Sequence, residues 1–165
     1  MSTDIVSLGL TREAWGPRFW KILHLLAEQC GRFTDPVIHA DEGDAWVILL
    51  KAQAYVMPCA RCKQHYLEWC HDHRVEGLKG MAGPERRDFV RQWLWGCHNR
   101  VNELNGKSVL PLEALEVMYP KEKIEKEWRE LLTMFCLALN RQKLSPVDVQ
   151  RWRSVIQRFR TMYGV

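Results

Sequence analysis

Apolar residues recur every three or four positions through most of the chain, and this periodicity constrains the fold more than any other feature. In residues 12–30 one such stripe comprises Trp15, Phe19, Ile22, Leu23 and Leu26. In residues 41–56 a second stripe comprises Trp46, Leu49, Leu50 and Gln53. Because an α-helix turns once in about 3.6 residues, each stripe predicts an amphipathic helix. Thr11, just before the first segment, is a favoured N-cap residue.

Proline and glycine indicate where the helices begin and end. A proline precedes or opens four predicted helices, at Pro58, Pro84, Pro111 and Pro146. Proline is tolerated in the first turn because the N–H that it lacks would have no partner within the helix. Gly106 is a natural end for the helix that Pro84 opens, and Ser145 is a natural N-cap for the last helix. The apolar face of the Pro84 helix comprises Phe89, Trp93, Cys97, Val101 and Leu104.

The expected fold class is all-α. No stretch of useful length alternates apolar and polar residues as a half-buried strand does, and no internal repeat is visible. We therefore predict a four-helix bundle with a short fifth helix that ends near Tyr119, followed by two further helices. Residues 11–120 form the predicted domain, and residues 121–165 form a C-terminal helical extension.

The last predicted helix has one apolar side and one basic side. The apolar side comprises Val149, Trp152, Ile156, Phe159 and Tyr163. On or beside the other side lie Arg151, Arg153, Arg158 and Arg160. This pattern is typical of a helix that packs on a bundle. The alternative is a basic face that docks a partner or shapes a dimer, and it leads to the hypothesis that residues 121–165 contribute to assembly.

Composition limits the classes of function. The formal net charge of +4 is a mild excess, so we expect no nucleic-acid partner. No run of about 18 apolar residues is present, so we expect no membrane partner. Residues 1–6 lack the basic and apolar segments of a secretory signal. We therefore expect a cytoplasmic protein, in which a disulfide is catalytic or transient rather than structural.

The motif Cys59-Ala-Arg-Cys62 admits three interpretations. In the first, a zinc-stabilised helical adaptor, Cys59, Cys62 and Cys70 bind the metal with one of His65, His71 or His73. The helix predicted across these residues would splay such ligands apart. In the second interpretation the motif is thioredoxin-like, but that chemistry uses a βαβ scaffold and no strands are predicted here.

The third interpretation is a flavin-linked thiol oxidase on a helical bundle. The helix dipole and the neighbouring Arg61 favour a thiolate at the start of the helix. Further along the chain, His98, Val101 and Asn102 lie within about one turn of one another, with Asn99 on the neighbouring face. Lys107, just past the helix end, is free to reach a phosphate. Together these residues are suited to binding a dinucleotide.

Four segments, in this order, resemble the Erv/ALR family of FAD-dependent sulfhydryl oxidases. They are WGPRFWKILHLLA, PCARCKQH, WLWGCHNRVNELNGK and PLEALEVMY, and the resemblance covers roughly residues 11–120. The His-Asn-x-Val-Asn motif about 35 residues after the cysteine pair makes it specific. The chain resembles the compact oxidases of large cytoplasmic DNA viruses. A viral origin would place the protein in the host cytoplasm or the virion.

The resemblance implies an enzyme that takes electrons from a protein dithiol and passes them through FAD to molecular oxygen, giving hydrogen peroxide. It implies that an incoming thiolate attacks Cys59 and that Cys62 faces the flavin as a charge-transfer thiolate. It also implies a homodimer and a thioredoxin-like carrier as a partner, and it implies no metal. The implied FAD-binding residues are Trp15, Gly16, Arg18, Trp20, His24, Tyr55, His65, His98, Asn99, Val101, Asn102 and Lys107.

The chain departs from the family pattern in its cysteines. The family's structural disulfide would begin at Trp95, and no cysteine follows in residues 105–120 to complete it. No second Cys-x-x-Cys motif is present either. Three further cysteines are predicted to be core thiols: Cys30, Cys97 and Cys136. Cys70 is either a structural thiol or a resolving or shuttle thiol.

Overall fold

A computed structural model describes residues 9–165, and the regular elements in that range are all helical. The seven α-helices are α1 Arg12–Gln29, α2 Pro36–Ala52, α3 Ala60–Asp72, α4 Gly83–Leu104, α5 Leu115–Met118, α6 Glu125–Asn140 and α7 Pro146–Tyr163. Three 3₁₀ turns lie between them, at Gln53–Val56, Glu76–Gly80 and Leu112–Ala114. The prediction of four helices, a short fifth and two more is confirmed.

The helices begin and end where local capping chemistry places their limits. Thr11 Oγ1 accepts a hydrogen bond of 3.3 Å from the backbone N–H three residues later, which confirms it as the N-cap of α1. After α4, Gly106 adopts a φ of 65°, and the Lys107 N–H donates back to the Asn102 carbonyl at 2.8 Å. Ser145 occupies the N-cap position of α7, although its side chain makes no capping hydrogen bond.

The predicted apolar stripes of α1, α2 and α7 are buried in one core. Leu104, on the predicted apolar face of α4, is 38% exposed. One prediction about burial is wrong. Cys136 is exposed on α6, because it lies about 100° around the helix from the buried Phe135. An unbroken apolar run conceals which side of a helix faces the core, so the sequence alone misplaced this thiol.

The C-terminal helices share the core of the bundle. α6 packs on α1, and α7 packs on α2. The Trp152 ring of α7 stacks on Phe19 with centroids 5.6 Å apart, and its Nε1–H donates to Gln53 Oε1 at 2.7 Å. On the other side of α7, the Arg158 guanidinium donates to Asp41 at 2.9 Å. The last helix therefore lies on the bundle through its apolar side.

A buried ion pair joins α2 and α4. Arg86 and Glu42 are both fully buried, with Nη1 and Oε2 3.0 Å apart. Arg86 also donates to the backbone carbonyls of Leu78 and His39, and the Tyr163 hydroxyl donates to Glu42 Oε1 at 2.7 Å. Because both charged groups are hydrogen-bonded, their attraction offsets the cost of removing them from water.

The predicted boundary at residue 120 falls between α5 and α6, in a connection whose flanking helices both contact α1. Within residues 9–165, no helix combines the length and the apolar character that crossing a bilayer requires. Residues 1–6, on which the expectation about a secretory signal rests, lie outside the described range.

Candidate active site

The cysteine pair forms a disulfide at the N-terminus of α3. Cys59 is the N-cap residue, and its Sγ accepts a hydrogen bond from the Cys62 N–H at 3.2 Å. The two Sγ atoms are bonded, and the Cα atoms are 5.2 Å apart. The positive end of the helix dipole lies at this terminus, so it stabilises a thiolate on either sulfur after reduction.

The zinc alternative gains no support from this arrangement. Zinc binds cysteine as the thiolate, whereas both sulfurs of the pair are committed to the disulfide. In residues 9–165, no three histidine, cysteine or acidic side chains are grouped closely enough to hold a metal ion.

A cavity of about 740 Å³ lies beside the disulfide, between α1, α3, α4 and the segment that follows α4. Cys62 lines this cavity and Cys59 does not. Its size is within the range of about 300–1,000 Å³ that is typical of cofactor and ligand sites. Eight of the residues predicted to bind the cofactor line it: Trp15, Gly16, Trp20, His65, His98, Val101, Asn102 and Lys107.

Four stacked rings form one wall of the cavity and its support. The Trp20 and His98 rings are nearly parallel, with centroids 4.2 Å apart. His98 Nδ1 lies 3.0 Å from His24 Nε2, within hydrogen-bond distance. Tyr119 stacks on His24 at 4.7 Å. Trp20, His98 and Tyr119 face the cavity, and His24 is buried behind them.

The two histidines are neutral at physiological pH. Burial, together with the nearby His98 and Arg91, lowers the pKa of His24 to about 3. Burial and the charge of Lys107 lower the pKa of His98 to about 4. In such a neutral pair one ring nitrogen donates the hydrogen bond and the other accepts it. The remaining nitrogen of His24, Nδ1, is buried without a partner in the described part of the chain.

Basic side chains predominate around the cavity. Arg12, Arg61 and Lys107 line it, and the acidic residue among the described lining is Glu13. Arg12 also donates a hydrogen bond to the Asn105 side chain, which joins the start of α1 to the end of α4. Clustered positive charge beside an aromatic wall favours a flat ligand that carries anionic groups.

The loop that carries Lys107 is fastened to α4 by three hydrogen bonds. Trp95 Nε1–H donates to the Leu110 carbonyl at 2.6 Å, and Asn99 Nδ2–H donates to the same carbonyl at 3.0 Å. The Leu110 N–H donates to Asn99 Oδ1 at 2.8 Å. Trp95 stands where the family pattern would begin a structural disulfide. Hydrogen bonds therefore connect α4 to this loop where a covalent link is absent.

Four residues predicted to bind the cofactor do not line the cavity: Arg18, His24, Tyr55 and Asn99. Arg18 pairs with an acidic residue of α6. Tyr55 is 42% exposed on the protein surface. His24 supports the aromatic wall from behind, and Asn99 is occupied by the loop after α4. The assignment of all four to the cofactor stays a prediction.

Several lining residues carried no sequence signal of that role: Arg12, Met57, Asn105, Met118 and Tyr119. Met118 and Tyr119 come from the end of α5, which packs on α1. That approach depends on tertiary packing, so no motif indicates it. Arg61 was recognised only as a neighbour of the cysteines, and its position next to Cys62 is the signal that could have placed it in the site.

The other four cysteines are free thiols. Cys30 and Cys97 are buried, as predicted. Burial raises the pKa of Cys70 to about 11, and its Sγ lies 4.0 Å from the Leu50 carbonyl. A resolving thiol reacts as the thiolate, so the raised pKa favours a structural role for Cys70.

Comparison with known proteins agrees with the geometry. The sequence profile of the Erv1/Alr family matches residues 17–129, more than half of the chain. The chain belongs to the Erv1/Alr family. The resemblance inferred from the four sequence segments is therefore confirmed.

Individual relatives of this Erv1/Alr chain come from plants and viruses. Proteins named FAD-linked sulfhydryl oxidase ERV1 from Oryza sativa and Arabidopsis thaliana are each 28% identical to it, over 73% and 72% of the chain. The chain spans 57% and 56% of those plant proteins. An African swine fever virus protein named FAD-linked sulfhydryl oxidase is 22% identical over 64% of the chain and 79% of its own length. No solved structure gives a significant match.

Proposed function

We propose that this chain is a FAD-linked sulfhydryl oxidase that withdraws two electrons from a protein dithiol through the Cys59–Cys62 disulfide. The observation that carries the proposal is the position of the disulfide at the edge of the cavity, with Cys62 in the lining and Cys59 outside it. One sulfur therefore faces a bound cofactor, and the other is left for a partner. The family and the names of the relatives support FAD as that cofactor.

The residues of the cavity fit FAD. Its flat ring systems match the aromatic surface of Trp20, His98 and Tyr119, because aromatic rings attract one another in offset stacks. Its diphosphate matches the positive charge of Arg12 and Lys107, since charge-assisted hydrogen bonds to phosphate are among the strongest that proteins make. These residues would hold the cofactor.

The chemistry of the chain's own residues begins at Cys59. A substrate thiolate attacks Cys59 Sγ, a mixed disulfide forms, and Cys62 leaves as a thiolate. The N-terminus of α3 and the neighbouring Arg61 stabilise that negative charge. A second substrate thiol then attacks the mixed disulfide, so that the substrate leaves oxidised and Cys59 is released as a thiol.

Return to the disulfide state removes two electrons from Cys59 and Cys62, and they leave through Cys62 because it lines the cavity. FAD, when bound, supplies a two-electron acceptor that molecular oxygen regenerates, with hydrogen peroxide as the product. His24 and His98 stay uncharged throughout, since burial holds both pKa values well below neutrality. The cavity wall therefore stays a neutral aromatic surface.

The visible spectrum of the purified protein tests the proposal. We expect a flavin band that is bleached by dithiothreitol and recovers in air with release of hydrogen peroxide. Cys59→Ser and Cys62→Ser should both abolish bleaching. Cys136→Ser, which changes an exposed thiol outside the cavity, should leave it unchanged. A folded protein that is colourless and takes up no added FAD would exclude the proposal.

Three finer proposals rest on the resemblance and on the viral relative. The substrate is a thioredoxin-like carrier, two copies of the chain form a homodimer, and the protein acts in the host cytoplasm or the virion. In Cys62→Ser, Cys59 is a free thiol, and its thiolate attacks the disulfide of the oxidised carrier to form a mixed disulfide that Cys62 cannot displace. Mass spectrometry of this species identifies the carrier. Sedimentation velocity tests the dimer, and fractionation of producing cells tests the location.

A further inference from the structure

The chain around the redox disulfide has an unusual charge. Residues 45–67 contain no aspartate or glutamate, although the whole chain has 20 acidic residues. The same segment carries Lys51, Arg61 and Lys63. Lys51 pairs with Glu76 at 2.7 Å, and Arg61 lines the cavity. Lys63 forms no ion pair with any residue in the described range.

Lys63 follows Cys59, the redox cysteine that is not part of the cavity lining, by four positions on α3. Its backbone N–H donates to the Cys59 carbonyl at 2.9 Å, so the two residues are one helical turn apart. Side chains on a helix lean towards its N-terminus, which directs Lys63 back over that turn. Its Nζ lies 4.6 Å from the ring centroid of Tyr55, a cation–π contact. We call Tyr55, Cys59 and Lys63 the docking patch.

The docking patch has no other evident task. Neither Tyr55 nor Lys63 lines the cavity. Tyr55 is a large aromatic side chain that remains 42% exposed. On α7, by contrast, Arg151 lies 3.7 Å from Asp148, and Arg158 and Arg160 also pair with acidic residues.

We propose that the docking patch selects protein dithiols whose cysteines are flanked by acidic residues. This inference rests on the proposed function, because it names the substrate class for the attacked sulfur Cys59. The ring of Tyr55 offers an exposed surface for an extended segment, and Lys63 attracts carboxylates beside the reacting thiol. An acidic flank raises the pKa of a free thiol, and the positive charge of Lys63 reverses that effect at the moment of docking.

The experiment compares two peptides that share one Cys-x-x-Cys core and differ only in having aspartate or lysine flanks. Oxygen consumption by the FAD-loaded protein gives kcat/KM for each peptide. We expect the acidic peptide to be favoured about tenfold at low ionic strength. The ratio of kcat/KM for the acidic peptide to that for the basic peptide should approach one at about 1 M salt, where the screening length falls to roughly 3 Å.

Matched variants test whether Lys63 and Tyr55 cause the preference for the acidic peptide. Lys63→Glu should lower the ratio of acidic to basic peptide by at least about fivefold. Lys143→Glu makes the same change of charge on an exposed residue of the connection between α6 and α7, and it should leave the ratio at the wild-type value. Tyr55→Leu should reduce the ratio because the cation–π contact is lost, whereas Tyr55→Phe should preserve it.

The possible results separate the two proposals. If the wild-type protein oxidises dithiothreitol but treats both peptides alike, or if Lys143→Glu changes the ratio as much as Lys63→Glu, the docking inference is overturned and the oxidase proposal stands. If neither dithiothreitol nor any peptide is oxidised, the oxidase proposal fails and the docking inference fails with it. A salt-sensitive acidic preference that Lys63→Glu removes would establish the docking patch.

Discussion

Replacing Trp152 tests whether the C-terminal helices are part of one cooperative core. Its indole is fully buried, with Phe19 at 5.6 Å, Trp128 at 5.5 Å and Phe135 at 5.2 Å between ring centroids. The indole N–H is also hydrogen-bonded to the buried Gln53 side chain. Loss of such a ring leaves a cavity, so Trp152→Ala should lower the free energy of unfolding by about 3–5 kcal/mol.

Trp152→Phe separates the hydrogen bond from the packing. It keeps an aromatic ring but leaves Gln53 Oε1 buried without a donor, which costs about 1–3 kcal/mol. Gln53 Nε2 already lacks a partner in the described structure, so the whole carboxamide would be unpaired. In a Gln53→Leu background the same substitution should cost less, because no polar atom remains to be stranded.

Urea unfolding followed by circular dichroism gives these energies from the midpoint and slope. Arg153→Ala, at the exposed neighbouring position, is the control and should change the free energy of unfolding by less than about 0.5 kcal/mol. Two separate unfolding transitions would refute the shared core. A cost of Trp152→Phe that stays the same in the Gln53→Leu background would refute the role given to the hydrogen bond.

Three further predictions concern backbone strain at Gly31, the loop after α4 and the pH dependence of stability. Gly31→Ala should lower stability by at least about 2 kcal/mol in a thermal melt, because Gly31 has a φ of 77° and a new Cβ would lie 2.0 Å from the Gly83 carbonyl oxygen; an unchanged melting temperature would contradict this. Trp95→Phe removes one of the three hydrogen bonds that hold the loop after α4, so a fluorescence titration should show FAD binding weakened about three- to tenfold; equal affinity would mean that the two bonds through Asn99 are sufficient to hold the loop. The pKa values of His24 and His98 are lowered from 6.5 to about 3 and about 4, so below pH 6.5 the unfolded state binds more protons than the folded state. The free energy of unfolding should therefore be constant above about pH 7 and decrease as the pH falls from 6.5 towards 4, and urea titrations across that range that show no decrease would contradict the burial of a neutral pair.

The parts of the fold that the sequence predicted are those that local chemistry determines. Thr11 caps α1 through its own hydroxyl, and Gly106 ends α4 because glycine readily adopts a positive φ. Neither feature needs a distant partner, so a short window of sequence is sufficient. Cys136 was misplaced because its apolar neighbours fill the whole turn, and only packing decides which side of α6 is exposed.

In the candidate site, too, residues placed by local spacing could be predicted from the sequence, and residues placed by tertiary packing could not. His98 and Asn102 could be assigned together because their spacing puts them on one side of a single helix. Tyr119 reaches the cavity from a segment that is distant in sequence, and Arg12 reaches it from the start of α1. Such residues are positioned by the packing of helices against one another, which no spacing rule encodes. Tyr55 was assigned to the cofactor by resemblance, and that assignment stays a prediction for a side chain that is 42% exposed.

The loop after α4 is held by hydrogen bonds rather than by a disulfide, and this bears on how the protein can be produced. One pair of its six cysteines is bonded and the other four are free, so a single covalent cross-link is present. That link spans only three positions and restrains the unfolded chain little, since the entropic contribution of a disulfide grows with the loop it closes. A newly synthesised chain can therefore reach its final shape in a thiol-rich compartment. The oxidase proposed above would then fold without help from another disulfide-forming catalyst.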